Sequence, residues 1–508
     1  MIRRLVSPVA RQLGVVAAGH PISARTGADA LKAGGNAVDA ALAAMLASFV
    51  CEPLLTGLGA GGYMLVVAPG QPPALLDFFV AAPGRGADEA ARPHGELIPV
   101  SVSFGDAVQT FNIGAASVGA FGTPAGICEA ARRFGRVPLE RLVAPAARLA
   151  RDGVELNRQQ AYIVEILEGT ISSTAEAQAL FAPGGRLLRA GESLRQPDLA
   201  DALERLGTEG ARPFYEGDIA SAIVEWLADR GGLLTLADLE AYAVLDREPL
   251  RVAYREREVL TNPPPAAGGI LIAHALSLLD ATPSPPSLSQ IVDVMERTQS
   301  QRTPEFLDGL EDPQFVRGFL SPGGGRLGST THIAALDQDG WACSVTCSSG
   351  SASGVIVPGT GVHLNNMLGE QDLNPLGFHR HPPGRRLPSM MAPTVVLRDG
   401  APELAVGSAG SNRIRSAILQ AIIRSVDDCM LAQQAIDAPR VHFEDGVVYT
   451  EPGIDTAALE RAGRVVGPFR ERNLFFGGAQ AAAREPGGSF SGGGDPRRGG
   501  AAVVVAAE

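Results

Sequence analysis

Read for the spacing of its apolar and polar positions, the chain passes through successive regimes. Over the first 80 residues, helices capped by Gly and Asn alternate with apolar strands. GGNAVDAALAAMLASFV places small and apolar side chains on most faces between Val38 and Val50, which predicts a helix buried all round. Its apolar run, Ala40 to Cys51, falls short of the roughly 20 helical residues that span a bilayer. TGLGAGGYMLVV then opens a strand from Tyr63 to Val67. From Thr123 to about Asp280 the period is mainly helical, in AGICEAARRFG, LERLVAPAARLARDG, AEAQALF, DIASAIVEWLADRGG and LADLEAY. NPPPAAGGILIAHALSLLD reads as a strand end, a proline-rich loop and a helix, with Gly268 and Gly269 at the junction. Thr282 to Gly325 is rich in Pro, Ser, Gln and Gly around a helical stretch, Leu288 to Gln299, and is read as a mobile connector. Past it the period becomes two. STTHIAALDQDGWACSVTCSS alternates on either side of Asp337-Gln338-Asp339-Gly340, a hairpin signal, so a new structural unit begins near Thr330. MMAPTVVLRDGAPELAVGSAGS repeats the pattern and ends in a glycine loop. Asn412 to Val426 is an amphipathic helix, and the terminal AAVVVAA is predicted as a buried strand.

Composition excludes several classes. With 508 residues, 45% hydrophobic and 19% charged, the chain is a soluble globular protein, neither disordered nor disulfide-stapled, and its length alone suggests about three domains. A balance of 43 Lys plus Arg against 55 Asp plus Glu, net -12, argues against nucleic acid as a partner, and the lack of a spanning run argues against a membrane. Lys32, beside Gly34 and Gly35, is the single lysine and reads as a solvated helix end, which removes Schiff-base and Walker-type lysine mechanisms almost entirely. Arg3 and Arg4 are followed by Pro8 and Arg11, which break the apolar core of a secretory signal. The cysteines, at 51, 128, 343, 347 and 429, are odd in number and form no CxxC pair. Together these predict free thiols and a cytoplasmic location, with the periplasm second. His379 and His381 are the only close histidine pair and no HExxH helix exists, so neither a metal nor a cofactor is expected. Gly57, Gly59 and Gly62 match GxGxxG, but they follow a helix and open a strand, the reverse of a dinucleotide fingerprint.

The chemistry centres on Thr330. A Thr pair at the start of a strand is ordinarily β-propensity, but Thr330 and Thr331 follow a glycine-rich connector and open the edge of a hairpin. Downstream, a glycine loop feeds the helix at Asn412 and aims N–H groups at whatever lies beside it, the geometry for an anion or oxyanion. A cut before Thr330 would free an α-amine beside a hydroxyl. Taken in order, AAGHPISARTGADALKAGGNAVDAALAA, CEPLLTGLGAGGYMLV, VPLERLVAPAARLARDG, GGLLTLADLEAY, NPPPAAGG, GSTTHIAALDQDGWACS, LNNML, MAPTVV, GSAGSNRI and DPRRGG resemble the gamma-glutamyltransferase family of N-terminal-nucleophile hydrolases, from about residue 15 to the end. The resemblance implies an α+β fold, a four-layer αββα sandwich of two antiparallel sheets between helical layers. It implies a proenzyme that cuts itself between Ser329 and Thr330 into a large chain, 1–329, and a small chain, 330–508, which remain together as a heterodimer and one domain. A homodimer of such heterodimers is compatible with it. Thr330 is then nucleophile and base at once, because an α-amine titrates at about 7.7 to 8.0. Gly410 and Ser411 fall on the family's paired oxyanion-hole glycines, Ser348 on a threonine that supports the nucleophile, and Asn365 and Asn366 on a pair beside the substrate. His332, in the TTH motif, is read as structural.

The substrate side departs from the pattern. Where members acting on glutathione carry an arginine for the glutamate α-carboxylate, this chain has Phe79. Gly350 stands for an asparagine, Met390 for one of two carboxylate-binding serines beside the retained Ser389, and Met367 for a glutamine, while Glu370 matches the acid that holds the substrate amine. Arg85, Arg385, Arg386 and Arg413 are candidates for another anion contact. The expectation is an amidohydrolase or acyltransferase acting on a small, oxamate-like amide through an acyl-enzyme. The alternatives are a genuine glutathione hydrolase and a non-catalytic metabolite-binding relative.

Overall fold

The computed structural model describes residues 11–87, 95–103, 108–301, 330–374 and 377–507. The N-terminal stretch with Arg3, Arg4 and Pro8, the part of the Thr282–Gly325 connector from 302 onward, and Ser329 lie outside the described residues.

Alternating side chains sort the strands into layers. The main strands are β1 Gln12–Ala18, β2 Gly61–Val67, β3 Ala74–Phe78, β4 Leu245–Arg247, β5 Leu250–Tyr254, β6 Arg257–Thr261, β7 Thr331–Asp337, β8 Ala342–Ser348, β9 Thr394–Arg398, β10 Ala401–Ala409, β11 Gly478–Arg484, β12 Phe490–Gly494 and β13 Ala501–Ala506. They form a seven-stranded sheet, β13-β1-β7-β8-β2-β3-β4, and a six-stranded sheet, β12-β11-β10-β9-β6-β5, antiparallel throughout. Along β7, Ile333 and Ala335 point into one core, Ala334 and Leu336 into the other. The first core lies under α1 Pro21–Lys32, α2 Ala37–Cys51, α3 Thr123–Phe134, α4 Leu139–Asp152 and α5 Pro197–Glu209. The second fills the space between the sheets and continues under α6 Ala267–Asp280, α7 Leu288–Gln299 and α8 Arg413–Val426. The result is the four-layer αββα sandwich expected. Helix α2 is buried on every residue, as its pattern predicts, because it lies between the sheet and α4. Asn36 caps it by accepting from the N–H groups of Val38 and Asp39, and the Asp337 carboxylate accepts from Ala37 N.

The β7–β8 hairpin forms as expected, with the Asp337 carboxylate accepting from the N–H groups of Asp339 and Trp341 to close its turn. It is central, not an edge, since β1 and β2 flank it. His332 points between the sheets, its ring against Gly407 of β10 and its Nδ1 2.9 Å from Thr346 Oγ1. Burial lowers its pKa to about 3, so the ring is a neutral packing group.

Other expectations change. Residues 245–261, inside the region read as mainly helical, form three strands; segments of three to five residues are too short to display a period. Leu288–Gln299, assigned to a mobile connector, buries Ile291, Val292, Val294 and Met295 in the second core. The terminal β13 is an edge strand in which only Val505 is buried, since an all-apolar run carries no polar position to mark its wet face. Helix α8, read as amphipathic, is buried on nearly every residue, including Arg413 and Arg415. No described helix is long and apolar enough to cross a membrane.

Candidate active site

One end of the sandwich gathers the ends of five strands. There β7 and β9 begin while β3, β8 and β10 finish, so Thr330, Ser348, Phe79, Ser389 to Met391 and Ser411 arrive together although they are far apart in sequence. They line one cavity of about 20 Å³, completed by Met367, Glu370, Leu373 and Ile414. That is room for about one water in the uncut chain.

Thr330 is 3% exposed and precedes β7, so its side chain lies on the face of His332 and Ala334, toward the cavity. Thr331 takes the opposite face. Its hydroxyl donates to Glu52 Oε1 at 3.1 Å, at the end of α2. Arg498 reaches the same peptide from the C-terminal segment, with Nη1 3.5 Å from the Thr330 carbonyl oxygen. The pairing of Thr331 with Cys347 places Ser348, the next residue, beside Thr330, and the Ser348 hydroxyl accepts from Gly350 N at 2.9 Å.

Gly410 and Ser411 turn the chain from β10 into α8 with φ of +113° and +70°, and Ser411 lines the cavity. The turn is held from behind. Asn412 donates to Glu444 Oε1 at 2.6 Å, Glu444 Oε2 lies 3.3 Å from His442 Nε2, and His442 Nδ1 lies 2.8 Å from Ser416 Oγ of α8. Burial keeps His442 neutral, lowering its pKa to about 4. Burial alone would raise the Glu444 carboxyl, but the His442 and Asn412 hydrogen bonds and the Arg413 charge outweigh it and hold Glu444 ionised. Further back, Arg440 and Arg497 enclose Asp495, and Arg497 also meets Glu451, a buried ionic cluster that accounts for the DPRR motif.

On the substrate side, Phe79 stacks on Tyr63 at 5.4 Å, so an aromatic wall stands where the sequence pattern calls for an arginine. Ser389 is held by the proline-rich loop, its carbonyl accepting from Ala267 N at the start of α6. The cavity does not include Asn365 or Asn366. Asn365 is a scaffold residue in this geometry, donating to the carbonyls of Gly59 and Gly119 and accepting from Gly119 N and Met367 N. Asn366 donates to Asn112 O and Ser351 Oγ, while its Oδ1 converges with Glu370 Oε1 at Gly350; a Cβ there would lie 2.0 and 2.7 Å from them. None of the four candidate arginines lines the cavity. Arg85 and Arg386 border a separate one, where Arg386 pairs with Asp77 and covers the Tyr242 ring. Arg413 donates to Phe475 O, and Arg385 is half-buried, its carbonyl accepting from Ala82 N. Among the described residues no group of His, Cys, Asp and Glu is placed to hold a metal, and all five cysteines are free thiols. Glu52 and Arg498 carry no site signal of their own in the sequence, although both lie in family motifs, CEP and DPRRGG.

Thr330, the glycine turn and the buried cavity occur in a chain with known relatives. The gamma-glutamyltranspeptidase family model matches residues 23–323 and 320–505. The chain belongs to this family. Like its relatives in the gamma-glutamyltranspeptidase family, it is an enzyme of the N-terminal-nucleophile hydrolase and acyltransferase type. It is 30% identical over 484 residues to the Acylase ACY 1 proenzyme of Pseudomonas sp. (strain SE83), covering 89% of this chain and 86% of that protein. To the glutathione hydrolase proenzyme of Bacillus subtilis (strain 168) it is 31% identical over 499 residues, covering 85% and 82%. The crystal structure of cephalosporin acylase from Bacillus halodurans superposes with a TM-score of 0.84 at 26% identity, covering 99% of both chains.

Proposed function

We propose that the chain cuts itself between Ser329 and Thr330 and that Thr330 then forms an acyl-enzyme with a compact amide whose acyl group is small and uncharged, of about the size of oxamate. In the cut, the Thr330 hydroxyl attacks the Ser329 carbonyl, the C–N bond breaks as its nitrogen takes a proton, and water hydrolyses the resulting ester. The freed α-amine accepts the Thr330 hydroxyl proton when substrate is attacked, and it returns that proton to the leaving amine. Gly410 and Ser411 supply N–H groups to the oxyanion, a contribution of about 3 to 4 kcal/mol per donor in comparable sites. Ser348 supports the hydroxyl.

The observation that carries the substrate reading is the wall of the Thr330 cavity: Phe79, Met367, Leu373, Met390, Met391 and Ile414, with Glu370 the one charged side chain. A glutamyl α-carboxylate would meet no cation there, and a desolvated unpaired anion costs several kcal/mol. The same reasoning ranks neutral small amides above oxamate itself. A second reading, glutathione hydrolase, is supported by Glu370 and Ser389 at the cavity and by relatives bearing that name. A panel of acetamide-sized amides, oxamate, an acylated cephalosporin and a γ-glutamyl anilide separates the readings. The proposal requires release from a compact amide that disappears in Thr330→Ala; γ-glutamyl anilide as the best substrate would replace it with the second reading.

A further inference from the structure

The pair beneath the nucleophile has no role in the chemistry above. Neighbouring residues of a strand face opposite ways, so Thr330 meets the cavity while Thr331 meets the helical layer. There Glu52, 1% exposed, closes the C-terminal end of α2. Its Oε1 accepts from Thr331 at 3.1 Å, and its Oε2 is buried with no hydrogen-bond partner among the described residues. Arg498 Nη1 lies 3.5 Å from the carbonyl oxygen of the preceding residue, Thr330, and a Cβ built on Gly410 would lie 3.4 Å from its Nη2, so one guanidinium stands beside both the backbone of Thr330 and the turn at Gly410.

We propose that Glu52 is a positioning residue for the nucleophile: it anchors Thr331, fixes with Arg498 the peptide between Thr330 and Thr331, and sets the protonation of the amine that cleavage leaves on Thr330. The inference rests on the reading of Thr330 as an N-terminal nucleophile. Burial pushes the Glu52 carboxyl up to about 7, opposed by the Thr331 hydrogen bond and the Arg498 charge. The negative end of α2 acts in the same direction as burial. Around it, burial holds the Cys51 thiol protonated, pulls Arg498 down to about 10 and lowers His20 to about 4, leaving that ring neutral. Glu52 therefore changes charge just below the range in which a free α-amine does, and the Thr331 hydrogen bond brings that change of charge within one residue of the amine. Ionised, it favours the ammonium, which is no base; neutral, it releases the amine.

The test is the acid limb of kcat/KM for processed wild type and Glu52→Gln, with the N-terminal residue of the small chain identified in the same samples. Gln preserves the acceptor for Thr331 and removes the charge, so the limb should move to lower pH by about half a unit or more. Thr331→Val removes a hydrogen bond that favours the carboxylate and should move the limb the same way by less. It decides the matter if Glu52→Gln does not fold. Cut enzyme with Thr330 at the N-terminus and an unmoved limb overturns the role of Glu52 alone; wild type that is never cut overturns the reading beneath it as well.

Discussion

Replacing Gly410 by alanine tests whether the turn after β10 is an oxyanion hole or merely a bend. Gly410 has φ +113°, and a Cβ built on it lies 2.7 Å from Gly477 Cα and 3.3 Å from Gly477 N, both backbone atoms. Ordinary contact begins near 3.4 Å, so about 0.7 Å must be taken up by the turn or by residue 477. Placing a non-glycine residue at this φ costs about 1 to 3 kcal/mol. Displacing a donor by that distance forfeits much of the 3 to 4 kcal/mol it supplies, which translates to about a 30- to 100-fold loss of kcat. Ser411→Gly is the control. It keeps the N–H, and relief of the φ +70° strain, about 1 kcal/mol, is offset by the greater freedom of an unfolded glycine, so kcat should stay within about threefold. The assay is ammonia release from a compact amide per mole of processed enzyme, with processing quantified by intact mass. Equal kcat values for Gly410→Ala and wild type, or equal losses in both variants, would refute the reasoning.

Further outcomes follow from buried groups. His332 is neutral in the fold with its pKa lowered to about 3, whereas the unfolded chain takes up a proton below about 6.5. Its contribution is therefore complete above pH 6.5 and is lost as pH falls toward 3, at about 1.4 kcal/mol per unit. In Thr330→Ala chains, unfolding free energies from urea titrations at pH 7 and 5 should show a drop about 2 kcal/mol larger than in the same chain carrying His332→Gln. Phe79→Arg places a guanidinium at a 1% exposed position against Tyr63; compact-amide kcat/KM should fall at least about tenfold, without making γ-glutamyl anilide a good substrate, because Gly350 and Met390 still lack the side chains that pattern needs. Glu444→Gln leaves the Asn412 amide with a weaker acceptor and the Gly410–Ser411 turn less firmly held; if that turn binds the oxyanion, kcat should fall about tenfold with KM nearly constant, as steady-state kinetics will show.

What could be read from the chain was what local pattern encodes. The β7–β8 hairpin, the buried α2 and the β9–β10 hairpin that leads to the glycine turn all follow from alternation or from an Asp-Gly signal within a few residues. Thr330, Ser348, Phe79, Glu370, Ser389, Met390 and Ser411 were named from ordered motifs, and the structure places them around one cavity. The misreadings have physical causes. Strands of three to five residues at 245–261 lie between helices and leave no measurable period, and α8 looked amphipathic because its buried arginines count as polar in sequence although Arg413 covers the Phe475 ring. Glu52 could not be found from local pattern. Its significance lies in a hydrogen bond to a residue 279 positions away, made only when α2 packs on the sheet. The candidate arginines illustrate the same limit, since nothing local says that Arg386 spends its charge on Asp77.

The central claim is that Thr330 becomes an N-terminal nucleophile, and intact mass with N-terminal sequencing of the purified chain tests it most directly. The account predicts two fragments, the smaller beginning at Thr330, and a Thr330→Ala protein that stays whole and releases nothing from any amide. A wild-type chain that remains uncut yet hydrolyses amides would contradict it.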